Sequence, residues 1–298
     1  MAAVSRLRWT MKTLKAGLQQ QPRSITWTRS MGHAAQLSID EEEWRQPNLP
    51  LEGLHSREKD RGVQWVFLGC PGVGKGTYAS RLAKLLDVPH IAMGDLVRHE
   101  IMQKSAMAEQ LQKIMGAGKL LPDEVIFNLL TRRLENGVSR GESGFILDGF
   151  PRTVNQAEIM NEVADIDLVV NLKLREDVLV TKCLGRRICS QCGGNFNVAS
   201  IDVDGYGNVP RIYMAPLLPP PSCSSKMIIR ADDTEEVVRA RLRVYYEESF
   251  PVESYYRSKG MLLDFDVAGG VSETWPLLLS ALNLNDKGAI QKRWTMTA

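Results

Sequence analysis

Apolar residues fall along this chain in short runs separated by longer amphipathic stretches. Trp65 to Leu68, Val88 to Ala92, Phe145 to Leu147, Ile166 to Leu174 and Met261 to Phe265 read as buried strands. Between them apolar positions recur at helical spacing, as at Tyr78, Leu82, Leu85 and Leu86. The spacing predicts helices over 106–117, 122–135 and 178–185, a long helix from Thr234 and a last one over 275–282. Asp95 is the expected N-cap of a helix carrying Arg98, Pro122 opens another, and Thr153 and Thr234 are expected caps. Strands alternating with helices predict an α/β fold with a parallel sheet. Two inserts interrupt the alternation, near 93–122 and near 188–230, and most of the second, Cys189 to Arg230, reads as irregular.

The first strand runs into Gly69-Cys-Pro-Gly-Val-Gly-Lys-Gly-Thr77, and a helical pattern follows. Strand, glycine loop and helix in that order form a phosphate loop: backbone N–H groups converge on an anion, and the helix adds its positive end. Lys75 then reaches the terminal phosphates. Gly76 stands where the general pattern has Ser or Thr, with Thr77 after it. The third strand ends in Asp148-Gly-Phe-Pro-Arg152. Ligands in open parallel sheets sit beyond the carboxyl ends of strands, so Asp148 and Arg152 are placed for phosphates and for Mg²⁺. Gln156, in the first turn after Thr153, carries a donor and an acceptor suited to a base edge.

Composition adds limits. The chain has 298 residues and a net charge of +2, which gives no basic field for nucleic acid. No apolar run is long enough to span a bilayer. Five cysteines, an odd number and partly clustered, suggest a reducing compartment. Residues 1–39 lack Asp and Glu up to the last position and carry six Arg or Lys, with Leu7, Met11, Leu14 and Leu18 at helical spacing. That is the profile of an organellar transit peptide. Residues 40–62 read as a linker and 285–298 as an unstructured tail.

Four motifs in order resemble the adenylate kinase family in its long-lid form: the glycine loop; Gly94-Asp-Leu-Val-Arg98; Asp148-Gly-Phe-Pro-Arg-Thr153 with Gln156; and Arg230-Ala-Asp-Asp233 with Arg241. The likeness covers about Gln64 to Leu284 and is closest to plant organellar forms, described as chloroplast proteins. The resemblance implies a P-loop NTPase core with a five-stranded parallel sheet flanked by helices, over 63–284. To this are added a helical nucleoside-monophosphate insert at 93–122 and a lid at 187–230. It implies Mg²⁺-dependent transfer between ATP and AMP to give two ADP.

By position, Gly72, Val73, Gly74, Lys75, Gly76 and Thr77 would cradle ATP phosphates. Arg186 also faces ATP, and Lys182, Asn195 and Phe196 would support its base. The family usually has Arg at the Lys182 position, and Lys stacks less well. AMP would meet Met93, Arg98, the backbone of Lys119, Leu120 and Leu121, and Gly149, Phe150, Pro151 and Arg152. Gln156, Arg230 and Arg241 complete that set. Met93 replaces the usual Thr. Lys75, Arg152, Arg186, Arg230, Arg241 and Asp148 would carry catalysis, with Asp148 holding Mg²⁺ through water.

Three lid cysteines, Cys189, Cys192 and Cys223, match a zinc set in some relatives, but Lys226 stands at the fourth position. Ser224, Ser225, Asp202 or Asp204 would be makeshift fourth ligands. A lid packed around Phe196, Tyr206 and Tyr213 without metal is favoured over zinc. Cys70 reads as a small spacer. The expected partners are ATP, AMP and ADP, with no nucleic acid or membrane and a monomeric chain. The expected location is the plastid stroma, or alternatively the mitochondrial matrix. Alternatives are a UMP/CMP or GTP-using kinase, a non-catalytic nucleotide-binding regulator, and a zinc-ribbon nucleic-acid module in the lid.

Overall fold

The computed structural model describes residues 62–103, 107–207 and 210–284. The expected transit peptide, most of the linker and the tail lie outside the described residues.

In chain order, β1 (Gln64–Gly69) leads into α1 (Lys75–Leu86), β2 (His90–Ala92), α2 (Met93–Met102), α3 (Ala108–Gly116) and α4 (Asp123–Ser139). Next come β3 (Phe145–Asp148), α5 (Val154–Val163), β4 (Leu168–Lys173) and α6 (Glu176–Gly185). A run of short elements follows: β5 (Arg186–Cys189), β6 (Asn195–Asn197), β7 (Ile201–Val203), β8 (Ile212–Met214), α7 (Pro221–Ser224) and β9 (Met227–Ile228). The chain closes with α8 (Glu235–Val244), α9 (Phe250–Ser258), β10 (Leu262–Asp266) and α10 (Val271–Ala281).

The main sheet has the order β10-β4-β1-β3-β2, and each of its pairings is parallel. The expected five-stranded parallel sheet is therefore present. Its central strand is β1, buried from Trp65 to Gly69. A strand covered on both faces has no polar side to display, so it reads as a continuous apolar run. Phe67, Ile146, Val170 and Leu172 from the sheet meet Tyr78 and Leu82 of α1 in one core. The register pairs Phe67 with Asp148, which brings the end of β3 alongside the glycine loop.

Thr153 and Thr234 cap their helices as expected, accepting from the N–H of Gln156 and Val237. Asp95 does not cap: α2 starts earlier, at Met93, and Asp95 lies in its first turn, paired with Arg98. A π-turn over Tyr245–Ser249 joins α8 to α9, with the Phe250 N–H bonding to Tyr245 C=O. Pro251 follows at once and has no N–H to give the Glu247 carbonyl, so regular winding fails there.

The stretch from Cys189 to Arg230, expected to be irregular, contains two small antiparallel sheets, β6-β5-β9 and the β7–β8 hairpin. Strands of two to four residues are too short for an alternating pattern to register. The hairpin turns Ile201, Ile212 and Met214 into the main core. These three hold the segment, in place of the expected tyrosines: Tyr206 and Tyr213 are exposed, and Phe196 is half-buried. The Arg175 guanidinium lies 5.0 Å over the Tyr206 ring and donates to Asp204 C=O at 2.9 Å.

Gly69 has φ +129°, and a Cβ there would lie 2.3 Å from Leu172 O in the neighbouring strand. Gly69→Ala should therefore lower unfolding free energy by about 3 kcal/mol, combining left-handed strain with a backbone clash. Urea denaturation checks this, with Gly141→Ala as the control: Gly141 shares the positive φ but has open space around it.

Candidate active site

The glycine loop leaves β1 at the carboxyl edge of the sheet and curls back to start α1. Gly72 has φ +90°, and a Cβ there would meet Cys183 Sγ at 2.6 Å. The loop is thus pressed onto α6 with no room for a side chain. At Gly76 a Cβ would lie 3.3 Å from Asp148 Oδ2. Glycine after the lysine, where the general pattern has Ser or Thr, leaves that carboxylate its space.

Lys75, Asp148, Arg152, Arg186, Arg230 and Arg241 all line one cavity of about 490 Å³. Residues separated by 166 positions, from Lys75 to Arg241, thus face a common space. The Lys75 ammonium folds over its own loop, donating to Gly69 O at 2.6 Å and Cys70 O at 3.0 Å. Burial pushes it down to about 8, against the pull of Asp148, and Arg152 pushes the same way. Burial also lowers Arg152 to about 10, helped by Arg241. Arg230 is lowered to about 10 by burial and by Arg186 and Arg98, and its Nε is buried with no hydrogen bond.

Three carboxylates hold this cationic group together. Asp233, fully buried, takes Arg186 in a two-point pair, with Nε at 2.8 Å from Oδ2. Burial alone would weaken the Arg186 charge, but Asp233 more than offsets it. Asp232 takes Arg241 Nη1 at 2.9 Å. Burial raises Asp148, yet His90, Lys75 and Arg152 outweigh it and keep its carboxyl below the usual range. His90 Nε2 stands 3.7 Å from Asp148 Oδ2, too long for a hydrogen bond. His90, Asp232 and Asp233 were given no role from sequence. The two aspartates sit in the Arg230-Ala-Asp-Asp233 motif and are traceable there; a lone His at the start of a strand gives no signal.

Other expected residues divide into those that face the cavity and those behind its wall. Gly72, Gly74, Gly76, Thr77, Lys182, Asn195 and Phe196 face it, as do Arg98, Lys119, Leu120, Gly149 and Pro151. Lys182, lowered to about 8 by burial, donates to Val73 O at 3.2 Å. Val73, Met93 and Phe150 are buried core residues, and Leu121 is not among the lining residues. Met93 packs inward at the first position of α2 and is not among the lining residues. Gln156 also lies beneath the wall. Its Oε1 accepts from Arg152 N–H at 2.7 Å and its Nε2 donates to Asp123 Oδ1 at 2.7 Å. Both ends of this amide are engaged within the chain, which differs from the free edge that its sequence position suggests.

The sequence profile described as adenylate kinase matches residues 67–261. The chain belongs to the adenylate kinase family. It is 66% identical over 229 residues to "Probable adenylate kinase 1, chloroplastic" of Oryza sativa subsp. japonica, covering 77% of this chain and 78% of that one. It is 65% identical over 228 residues to "Adenylate kinase 1, chloroplastic" of Arabidopsis thaliana, covering 76% and 80%. With "Adenylate kinase" of Solanum tuberosum the identity is 64% over 229 residues, covering 77% and 80%. The chain is an enzyme of that family, a nucleotide-binding phosphotransferase. Among the described residues no helix is long and apolar enough to cross a membrane.

Around β5 and β9, Cys189, Cys192 and Cys223 bring their Sγ atoms within 4.8 Å of one another. The Lys226 ammonium turns away to Gln191 Oε1. Ser224 Oγ donates to Pro220 O at 3.2 Å, and Asp202 is paired with Arg211.

The lowered Lys75 has a consequence for pH. A bound polyphosphate favours the ammonium, so binding takes up a proton wherever the free enzyme has lost it. ATP affinity should fall as pH rises through about 8, by up to ~10-fold per unit. Folding stability moves the other way, because the unfolded chain holds the proton up to about 10.5, the ordinary lysine value. Titrations of ATP binding between pH ~7 and ~9.5 check this; Lys75→Met should flatten the dependence.

Proposed function

We propose that the cavity cations carry the chain's adenylate kinase reaction, the reversible transfer of the γ-phosphoryl of ATP to AMP to give two ADP. The observation that carries this reading is Lys75, Arg152 and Arg230, each buried enough to lose part of its hold on a proton, facing one space. Such a group is stabilised by a polyanion and by little else. Two bound nucleotides supply that charge.

No general base is needed, since the attacking group is a phosphate oxygen of AMP that is ionised near neutral pH. Catalysis is then positioning plus charge neutralisation. The loop N–H groups from Gly72 to Thr77 bind the donor phosphates, and Lys75 exchanges its two loop carbonyls for phosphate oxygens. Arg98 and Arg152 grip the acceptor phosphate. Arg186, Arg230 and Arg241 neutralise the migrating group, and Asp233 and Asp232 fix the direction of Arg186 and Arg241. A guanidinium meets two phosphate oxygens at once, so its orientation matters as much as its charge. Residues 93–122 close over the acceptor and 187–230 over the donor, excluding water as the rival nucleophile.

Mg²⁺, generally used by this family, would be held through water by Asp148, whose carboxylate stays ionised in spite of burial. When bound it screens charge on the phosphate oxygens. Zinc is not part of this reading. Three thiols with Lys226 turned elsewhere do not fit a closed four-ligand site.

The acceptor is AMP and the donor ATP. If Gln156 reads the adenine, it must give up Asp123 on binding. Lys182 and the lid residues Asn195 and Phe196 form the donor end. The chain acts as a monomer in this reading. Residues 1–39 act as a transit peptide, 40–62 as linker and 285–298 as tail. The names of the rice and Arabidopsis relatives favour the plastid over the mitochondrion.

Purified protein with ADP and Mg²⁺ should form ATP and AMP in equal amounts. Arg152→Met and Arg241→Met should each lower kcat by about 10²–10⁴-fold with the fold retained. Initial rates should favour AMP over UMP and CMP, and ATP over GTP. Faster turnover of a pyrimidine nucleotide would reassign the acceptor. Imaging a fluorescent protein fused to residues 1–60 checks the compartment.

A further inference from the structure

The lid thiols form a cluster that phosphoryl transfer does not use. Cys192 Sγ lies 3.6 Å from Cys223 Sγ, although 31 positions separate them. Cys192 is exposed, whereas Cys223 and Cys189 are buried. The backbone leaves the pair little freedom. Cys189 N–H bonds to Gly194 O at 3.0 Å and Gly193 N–H to Cys189 O at 2.9 Å, closing the turn that carries Cys192. Lys226 N–H bonds to Cys223 O at 2.9 Å, and Ser190 N–H to Lys226 O at 2.9 Å, tying the second turn to the first. The pairing of Cys189 with Met227 joins β5 to β9 between them. Two hydrogen-bonded turns hold the two sulfurs within 3.6 Å of each other, near enough for the pair to be tested as a disulfide. Among the described residues no fourth His, Cys, Asp or Glu joins the three thiols, and Lys226 as an ammonium has no lone pair to give a metal.

We propose that Cys192 and Cys223 form a reversible disulfide, with a low-molecular-weight disulfide such as oxidised glutathione as the oxidant. The Cys192 thiolate, the accessible one, attacks one sulfur of the oxidant. The S–S bond of the oxidant breaks, and one glutathione thiolate leaves and takes up a proton. The Cys223 sulfur, losing its proton, then attacks the Cys192 sulfur of the mixed disulfide. The second glutathione leaves in the same way. Two protein thiols are oxidised to one disulfide while one oxidised glutathione is reduced to two thiols. A dithiol reductant reverses both steps. The bond closes a loop that contains β6 and the β7–β8 hairpin, including Asn195 and Phe196 at the cavity wall. Oxidation therefore pins this wall of the cavity.

The test uses the full chain, reduced and freed of added metal, equilibrated with glutathione at graded ratios of oxidised to reduced form. Thiols are counted after denaturation in acid, and peptides are mapped without reduction. The expected result is loss of two of the five thiols and recovery of a Cys192–Cys223 peptide. Protease cleavage within 193–222 should also slow several-fold and recover on reduction. In Cys223→Ser the reaction should stop with one glutathione retained on Cys192, a readout that does not depend on activity. The proposal fails if all five thiols survive oxidising ratios. It also fails if Cys189 is found in the bond, if wild-type Cys192 retains glutathione, or if one tightly held zinc per chain shields the three thiols.

Discussion

Like charges in close quarters set the terms for this fold. A lysine and several arginines converge on one cavity, and burial together with mutual repulsion makes Lys75, Arg152 and Arg230 less willing to hold a proton than they would be in water. Bringing such groups together costs free energy that the rest of the chain must offset. Asp148, Asp232 and Asp233 do part of this, each placed against a specific cation by a strand end or a helix start. The carboxylates fix direction as well as charge, and the unpaired Nε of Arg230 shows that compensation is incomplete. On the function proposed above, a polyphosphate makes good the shortfall, and the site trades stability of the free protein for affinity toward its ligand.

The backbone around that cluster is correspondingly tight. The glycine loop threads between β4 and α6, with the neighbouring carbonyl of Leu172 against Gly69 and the Cys183 sulfur against Gly72. The parallel register that sets Phe67 beside Asp148 brings the loop and the acidic strand end together. The β7–β8 hairpin adds Ile201, Ile212 and Met214 to the same core, so this segment is anchored by apolar burial. The cysteine turns lie apart from that anchor and depend on backbone hydrogen bonds.

Much of this was legible in the sequence because the signals are local. Apolar runs marked the five strands of the main sheet, Thr153 and Thr234 marked two helix starts, and the spacing of glycines around Lys75 marked the phosphate loop. The motifs also placed the arginines, since each stands at a fixed offset from a strand end or a cap. Where local rules were applied to weaker signals they slipped. Asp95 has the chemistry of a cap, but the helix begins two residues earlier. The strands from β5 to β9 are too short to show alternation, and Ile201, Ile212 and Met214 fill the packing role expected of tyrosines that are in fact exposed.

Chain order alone determined the α/β class and the phosphate loop, because these rest on periodicity and spacing over a few neighbouring residues, and the likeness of four motifs spread along the chain pointed to the family. Tertiary structure alone decided which side chains face the cavity and which are engaged behind its wall. Met93 packs inward, Gln156 is taken up by Arg152 and Asp123, and Asp232 and Asp233 align arginines from two different elements. The physical reason is that a hydrogen bond or an ion pair needs contact. Contacts between Gln156 and Asp123, or between Cys192 and Cys223, join positions about thirty residues apart, and they exist only once the elements carrying them have packed.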